Sequence, residues 1–522
     1  MKKTTILLIT ICVVVMTAGT GMAADVDFSG EYYIEGIYNS NPNLAKTDLA
    51  TYYRQMRLRV QTDFKVTEDL KLTTRFDALE KVWNTDDSAF TNSEDAENID
   101  FDRAYMTIIS KVGMFMLGRQ EGVTWGTTWA DDEDDTDRFK WVLPLDAAGG
   151  KLIFALIAEK TTENDTDPDI TSGKDNDKYY FGTIYKREKY DTGLLFGLYD
   201  FNRTPDPQQR EALDKLKDQG YEGLEGLTRF GTLAAGYRNA AIADYVAAND
   251  GNPDTLATNV AAFEDANDHP GMAATIAAVG TAPTVLATRG ATCEANIWLA
   301  SPYFRGKFDK LGVQAELDYV FGTIEYTDLI SSTGLYSTEP DHDVSAYSYF
   351  LEATYDVGPV VVQAGWAHRS GDSDESDTDE GAMGYFAPGI DWEKMFILSS
   401  DYHGLNTSLA GIGNHVGDGY ITFSRPLLDG FQMPYIGVDY SVRDDITLGL
   451  LAAMSTADDT VTGWDDDQGV EVDLKFTWQL MDNLKYQATF AYLSAGDYWK
   501  QGNAATDLDD LYCLFSRLTM TF

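Results

Sequence analysis

The sequence predicts an all-β fold, a transmembrane antiparallel up-and-down β-barrel of about eighteen strands, with sixteen strands as the alternative. Three observations lead to this prediction. Apolar and polar residues alternate along many segments, short and long connections alternate between those segments, and the last segment ends in an aromatic residue, Phe522. A barrel strand needs only about 9–11 residues, with one apolar and one polar face.

The alternation begins near residue 25 and continues to the end of the chain. In a late segment, Leu474 and Phe476 fall on one face, and Glu471 and Asp473 fall on the other. Successive side chains of a strand point to opposite sides, so each segment has an apolar and a polar face. A soluble β-sandwich would alternate as well. The many charged groups on the polar faces and the aromatic residues that flank the apolar faces favour the membrane barrel.

The connections supply an independent signal. Barrels of the outer membrane have short periplasmic turns and long external loops. Eight short turns and nine long connections would join eighteen strands, with both termini on the periplasmic side. The strands with the weakest pattern lie near residues 138–145 and 431–442. The predicted short turns are 67–69, 111–113, 146–150, 190–193, 309–312, 356–359, 443–445 and 481–483.

The first 24 residues have the layout of a secretory signal. Lys2 and Lys3 are followed by an apolar run over residues 6–16 and then by small residues up to Ala24. The run is shorter than the ~20 residues that a membrane-spanning helix requires. We therefore predict a signal peptide over residues 1–24 and an outer-membrane barrel over residues 25–522.

Composition excludes several classes of protein. With 84 acidic and 40 basic residues the formal charge is −44, and so acidic a chain is a poor partner for nucleic acid. A content of 44% apolar and 12% aromatic residues is too high for disorder. Of the three cysteines, one lies in the signal segment, so no disulfide framework is expected. Five histidines and no nucleophile elbow, zinc motif or phosphate loop predict that the chain is not an enzyme.

The last strand ends in the aromatic Phe522, with Leu518 and Met520 on the same face. This resembles the assembly signal of Gram-negative outer-membrane proteins. The expected location is therefore the outer membrane, with lipid, lipopolysaccharide and the barrel assembly machinery as partners, for a chain that is either a monomer or a homotrimer.

One segment resembles the alginate-export-type barrels among the outer-membrane porins. It comprises Phe101-Asp102-Arg103-Ala104-Tyr105, then Lys111-Val112-Gly113, then Leu117-Gly118-Arg119-Gln120. The resemblance implies an eighteen-strand barrel with Arg103, Tyr105 and Arg119 directed towards the lumen. It does not imply alginate export.

Charged residues on the polar faces are the candidates for the channel wall. Opposed charges across a pore select ions, although such pairs would also neutralise one another. The arginines on neighbouring strands favour anions inside the pore, whereas the acidic loops favour cations at its entrance. The predicted channel-lining residues are Arg57, Arg59, Arg75, Arg103, Arg119, Arg305, Arg517, Glu316, Asp318, Glu471 and Asp473.

Acidic runs in the long connections offer a site for calcium, since oxygen ligands relieve the repulsion among clustered carboxylates. A solvated acidic loop is the alternative. The candidate ligands are Asp372, Asp374, Asp377 and Asp379. The third connection is also predicted to hold Trp125, Trp129 and Trp141 around its acidic run. We expect this connection to fold inward and narrow the channel, although an interfacial aromatic belt would explain some of the same residues.

The segment over residues 204–295 is rich in Ala and lacks the alternation. A structureless connection of this length is improbable, so a partly helical external insert or a plug is expected. The predicted function is passive diffusion of ions and small hydrophilic solutes through a water-filled pore. The alternatives are a surface receptor or adhesin, or a channel specific for an anionic polysaccharide, with the barrel as the anchor.

Overall fold

A computed structural model describes residues 25–41, 44, 50–83, 99–122, 124–129, 135–163, 175–203, 292–330, 336–337, 341–372, 378–386, 392, 394–399 and 429–522. The strands of these residues form one sheet of twenty, and two of them have only two residues each, Tyr336–Ser337 and Asp379–Glu380. The other eighteen form the barrel. They are β1 (Asp25–Asn39), β2 (Thr51–Thr67), β3 (Leu70–Val82), β4 (Asp100–Ser110), β5 (Gly113–Gln120), β6 (Thr136–Ala147), β7 (Gly150–Thr162), β8 (Asn176–Lys186), β9 (Tyr190–Arg203), β10 (Thr292–Phe308), β11 (Leu311–Ile330), β12 (His342–Val357), β13 (Val360–Arg369), β14 (Phe431–Arg443), β15 (Ile446–Thr456), β16 (Asp467–Met481), β17 (Leu484–Ala495) and β18 (Leu511–Thr521).

The sheet closes on itself. Each barrel strand runs antiparallel to the next one in the chain, and β1 also pairs with β18 from Glu31↔Thr521 to Asn39↔Cys513. Closure leaves no exposed sheet edge. The prediction of a closed antiparallel barrel of eighteen strands is therefore confirmed. In the described part of the chain, no helix is both long and apolar enough to cross a membrane. Two short 3₁₀ helices, Met383–Phe386 and Asp497–Lys500, lie in connections.

Eight short turns lie at one end of the barrel, which we call the short-turn end, and the longer connections lie at the other. Both weakly patterned segments form strands, β6 and β14. One predicted turn was wrong. Residues 190–193 begin β9, because Tyr190 pairs with Gly306 and stacks on Phe304 at 6.0 Å between ring centroids. The turn occupies residues 187–189 instead.

The predicted insert ends earlier than expected, because β10 already begins at Thr292. The expected partly helical structure over residues 204–291 lies outside the described residues, and so does the predicted signal peptide over residues 1–24.

The two faces of the wall have opposite character. On the outer face Leu474 pairs with Leu450 and Phe490 on the adjacent strands and is 51% exposed. The neighbouring Asp473 points inward and is 0% exposed. A soluble protein buries its apolar face, so this arrangement is the inverse of a soluble sheet. It fits a lipid-facing exterior.

We expect Phe522→Asp to impair barrel assembly. Gly30 and Phe522 exchange two backbone hydrogen bonds of 2.9 and 3.1 Å across the closing seam, and a Cβ on Gly30 would lie 2.8 Å from the Phe522 ring. A carboxylate would replace this packing with a group that must remain hydrated. The measurement is the fraction of heat-modifiable protein in isolated membranes, with Phe522→Tyr as the control. Wild-type amounts of heat-modifiable Phe522→Asp would contradict this expectation.

Candidate functional site

Four predicted arginines lie together on the inner wall. Arg59 pairs in register with Asp77 and with Glu31, and Arg75 pairs with Arg103. Directly opposed residues of antiparallel strands share a face. We call this set the arginine row; it consists of Arg57, Arg59, Arg75 and Arg103.

Carboxylates separate the members of the arginine row. Asp102 lies 3.6 Å from the Arg59 guanidinium and 3.0 Å from that of Arg75. Asp135, from the third long connection, lies 2.8 Å from the Arg75 guanidinium and 2.6 Å from that of Arg103. Each of these carboxylates therefore bridges two neighbouring arginines.

The same pattern holds at the other end of the row. Asp77 lies 2.6 Å from the Arg59 guanidinium and 3.7 Å from that of Arg57, which also contacts Glu31 at 3.2 Å. The row is thus a charge-compensated network and not a bare positive wall. The sequence-based expectation of a wall that favours anions loses its basis here, because compensation removes most of the net charge.

Arg119 lies on the opposite face, which corrects its predicted orientation. It pairs with Ala104, the neighbour of Arg103, and its side chain is 49% exposed beside Asp137 at 3.8 Å. The two-residue turn between β4 and β5 pairs odd positions of one strand with even positions of the other. Gln120 therefore shares the inner face with Arg103, and it is buried.

Arg517 also faces inward. Its guanidinium contacts Glu35 and lies 4.4 Å from the centroid of the Tyr33 ring. The Arg57 guanidinium lies 5.0 Å from the centroid of the same ring. The row thereby continues across the seam from β2 to β18.

An inward ion pair between β6 and β7 was not predicted from the sequence. The Arg138 guanidinium lies 2.9 Å from the Glu159 carboxylate, with side-chain exposures of 1% and 2%, and Lys178 approaches Glu159 to 3.7 Å. Charged residues at alternate positions of β6 were the available signal. The weak apolar pattern of that strand obscured it.

The third long connection folds into the lumen, as expected from its tryptophans. The Thr127 N–H and hydroxyl both donate to Glu316 Oε2, at 2.7 and 2.5 Å. The Trp125 indole N–H donates to the Ser301 carbonyl at 3.1 Å, and the ring packs edge-on against Tyr303 with 5.1 Å between centroids.

Glycines make room for this segment. Gly126 has a φ of +64°, and a Cβ there would lie 2.7 Å from Glu316 Oε2. A Cβ on Gly193 would lie 2.5 Å from Tyr303 and 2.9 Å from Trp125. The position of the Trp125 indole therefore depends on the lack of a side chain at Gly193. Trp141, by contrast, lies on the outer face opposite Phe115 and donates to the Val112 carbonyl at 2.8 Å, as an interfacial aromatic would.

Part of the seventh long connection, over residues 394–399, is also held inside the barrel. The Ile397 and Leu398 N–H groups each donate to one oxygen of Glu471, both at 2.7 Å. The Phe396 N–H donates to Asp473 Oδ2 at 2.9 Å. Two carboxylates of the wall thus bind three consecutive backbone amides, as an anion does at a helix N-terminus.

The two inward segments meet in an aromatic cluster. The Trp129 and Trp392 rings pack edge-on at 5.2 Å, and Trp129 stacks on Phe350 at 5.9 Å. The Trp129 indole donates to Ser348 Oγ at 3.0 Å, and that hydroxyl donates to Asp318 at 2.9 Å. This sector of the lumen is therefore a packed core and not open solvent.

The predicted inward carboxylates therefore bind loop segments inside the barrel and are shielded from solvent. They face the interior, but Glu316 is 2% exposed and Asp318, Glu471 and Asp473 are each 0% exposed. Three of them hold loop segments directly, and Asp318 does so through Ser348. Among the predicted residues, the partly exposed inward side chains are Arg57, Arg59, Arg517 and Arg305.

The calcium prediction rests on four aspartates, of which Asp374 and Asp377 lie outside the described residues. Asp372 accepts from the Gly381 N–H at 2.8 Å, and Asp379 belongs to a short strand that pairs with residues 343–344. Within the part of the chain that is described, no group of three or more acidic, histidine or cysteine side chains is arranged to hold a metal.

Comparison with known proteins gives fold-level likenesses. No protein-family profile and no curated protein matches the chain. Among solved structures, the outer membrane channel DcaP of Acinetobacter baumannii covers 96% of this chain and 99% of its own at 9% identity and a TM-score of 0.40. OmpF of Salmonella typhi, in complex with daunomycin, covers 96% of this chain and 98% of its own at 11% identity and a TM-score of 0.38. OpdK of Pseudomonas aeruginosa, with vanillate, covers 95% of this chain and 98% of its own at 8% identity and a TM-score of 0.44. Likeness at this level supports no further conclusion.

Proposed function

We propose that this chain is a Gram-negative outer-membrane porin for passive diffusion of ions and small hydrophilic solutes, and that it is not an enzyme. The observation that carries the proposal is the inverted wall, apolar outside and charged inside, in a closed sheet. Only helices and closed barrels satisfy their backbone hydrogen bonds in lipid. An eighteen-strand barrel is also wide enough to hold an aqueous channel.

The conducting path is bounded by two unlike surfaces. The arginine row and Arg517 form the charged surface, on β2–β4 and β18. The inward segments around Trp129 and Leu398 contact strands between β8 and β18 and narrow the lumen from the other side. A path between a charged surface and a packed one suits hydrated solutes.

The first test is conductance in planar bilayers. A porin gives stepwise currents on insertion, whereas a receptor barrel sealed by its loops gives none. Absence of current from folded, heat-modifiable protein would overturn the proposal.

The partners expected in the membrane are lipid and lipopolysaccharide, and the assembly machinery is expected to act during insertion. Crosslinking would distinguish a monomer from a homotrimer.

Arg103→Ala should shift the reversal potential under a salt gradient towards cations. Arg103 is only 9% exposed, but its removal leaves Asp135 and Glu121 without this partner. Removing one charge about 4–8 Å from a hydrated path changes the energy of an ion there by about 0.5–1 kcal/mol, so the permeability ratio should change about two- to fivefold. Arg119→Ala is the matched control, because it removes the same charge from the outer face. Equal shifts from both variants would show that Arg103 does not face the conducting path.

A further inference from the structure

A cavity of about 390 Å³ lies at the short-turn end of the barrel, between the β8–β9 turn and the ends of β10 and β11. The two walls are joined by a backbone hydrogen bond, in which the Lys307 N–H donates to the Lys189 carbonyl at 2.8 Å. A second bond, from the Arg187 N–H to the Tyr190 carbonyl at 2.8 Å, closes the turn. The cavity is therefore bounded by backbone that is fixed on both sides.

Basic side chains concentrate around this cavity, although the chain as a whole carries a charge of −44. Its cationic lining residues are Lys186, Arg187, Lys189, Arg305 and Lys307, and the acidic ones are Glu188, Asp191 and Glu352.

Two of the three carboxylates of the lining are engaged. Asp191 accepts from the Arg305 Nε–H with both oxygens at 3.0 Å and from the Tyr303 hydroxyl at 2.9 Å. Glu352 contacts Lys394, which lies outside the cavity lining, and accepts from the Tyr435 hydroxyl at 2.7 Å. Asp191 and Glu352 therefore have little capacity left to neutralise the remaining cations. Glu188, exposed in the turn between Arg187 and Lys189, forms no ion pair among the described residues, so the lining keeps an excess of five cations over three carboxylates.

Three of the cations have no such partner. Lys307 pairs with Asp356 at 2.7 Å, but Lys186, Arg187 and Lys189 form no ion pair with any residue of the described chain. All three are exposed and belong to the lining of the cavity, and the Arg187 guanidinium lies beside Gly149 of the β6–β7 turn. Unpaired cations around one concave surface attract and hold anions.

We propose that this cavity binds a small soluble oxyanion of the phosphate type at the short-turn mouth of the channel. The proposal rests on the proposed function in placing the cavity at the end of a solute path. A phosphate offers several acceptor oxygens and close to two negative charges, which suits a cavity lined by several ammonium and guanidinium groups. Arg305 and Lys307 lie on the inner face of β10, so the ligand is a solute of the lumen and not a lipid headgroup.

The test measures binding of inorganic phosphate to the full chain in a non-ionic detergent, by equilibrium dialysis at low ionic strength. The double variant Lys186→Gln with Lys189→Gln should weaken binding about tenfold or more, as expected for the loss of charge-assisted hydrogen bonds. The control, Lys111→Gln with Lys485→Gln, removes two lysines near other short turns, and it should leave binding within about twofold because it changes only the overall charge.

Three further outcomes would overturn the proposal, and a fourth would overturn only the porin function. Equal weakening in both double variants would mean that phosphate senses only the overall charge. Saturable binding of anionic lipid in nanodiscs, with no binding of free phosphate, would assign the cavity to a headgroup. Failure of phosphate binding in protein that still conducts rejects the cavity alone, whereas loss of conductance with phosphate binding intact rejects the porin function alone.

Discussion

Glu316→Ala is expected to release the third connection from the wall and to raise the single-channel conductance. The substitution leaves the buried Thr127 N–H and hydroxyl without their shared acceptor. A lost hydrogen bond to a charged group costs about 1.5–3 kcal/mol, which corresponds to a shift of about 10- to 150-fold in the equilibrium between seated and released segment.

Two further variants sharpen this experiment. Glu316→Gln keeps one acceptor oxygen and should fall between the wild type and the alanine variant. Gly126→Val acts on the same contact from the other side, because a Cβ there meets Glu316 and the φ of +64° is unfavourable for a β-branched residue. The readouts are conductance and the fluorescence of Trp125 and Trp129. If conductance and fluorescence both stay at wild-type values in Glu316→Ala, the segment does not depend on this carboxylate.

Leu474→Arg should destabilise the folded barrel by about 2–4 kcal/mol if the residue lies near mid-bilayer. Leu474 stands in an outward apolar row with Leu450 and Phe490, so its replacement puts a guanidinium in lipid. The control is Thr477→Arg on the inner face of the same strand, which adds the same charge to the lumen side. Asp473 is unsuitable as a control, because it holds the Phe396 amide.

The free energy of unfolding would be measured in urea with the barrel in lipid vesicles. The control should lose less than about 1 kcal/mol, since a charge directed towards a hydrated lumen keeps its solvation. Similar losses for both arginine variants would show that the inner and outer faces have been assigned the wrong way round.

The sequence predicts the wall well because one physical rule, the period of two, governs every strand. It predicts less well which face a given residue takes after a turn. Arg103 and Arg119 both follow the alternation of their own strands, yet the two-residue turn between those strands sets them on opposite faces. A one-residue difference in the length of a turn exchanges the faces, and the sequence does not mark that length sharply.

The interior was harder to predict for another reason. Glu316 and Glu471 occupy alternating polar positions, as a residue that lines a pore would, and nothing local distinguishes a carboxylate that meets water from one that binds loop amides. That distinction depends on where distant segments, such as residues 394–399, come to lie. The tryptophans of the third connection gave a usable signal, because an indole in an acidic loop needs an apolar surface to pack on. The seventh connection carries a comparable signal, Trp392 followed by the apolar run over residues 395–398, but the prediction did not draw on it.

The binding of the Phe396, Ile397 and Leu398 amides by Asp473 and Glu471 also sets an order of events in folding. These carboxylates belong to β16, one of the last strands of the chain, so the amides have no acceptors until that strand is in the wall. The segment over residues 394–399 therefore docks only after β16 has taken its place in the wall. Pulse-labelling hydrogen exchange would register that sequence directly: protection of the β16 amides would appear first, and protection of these three amides would follow it.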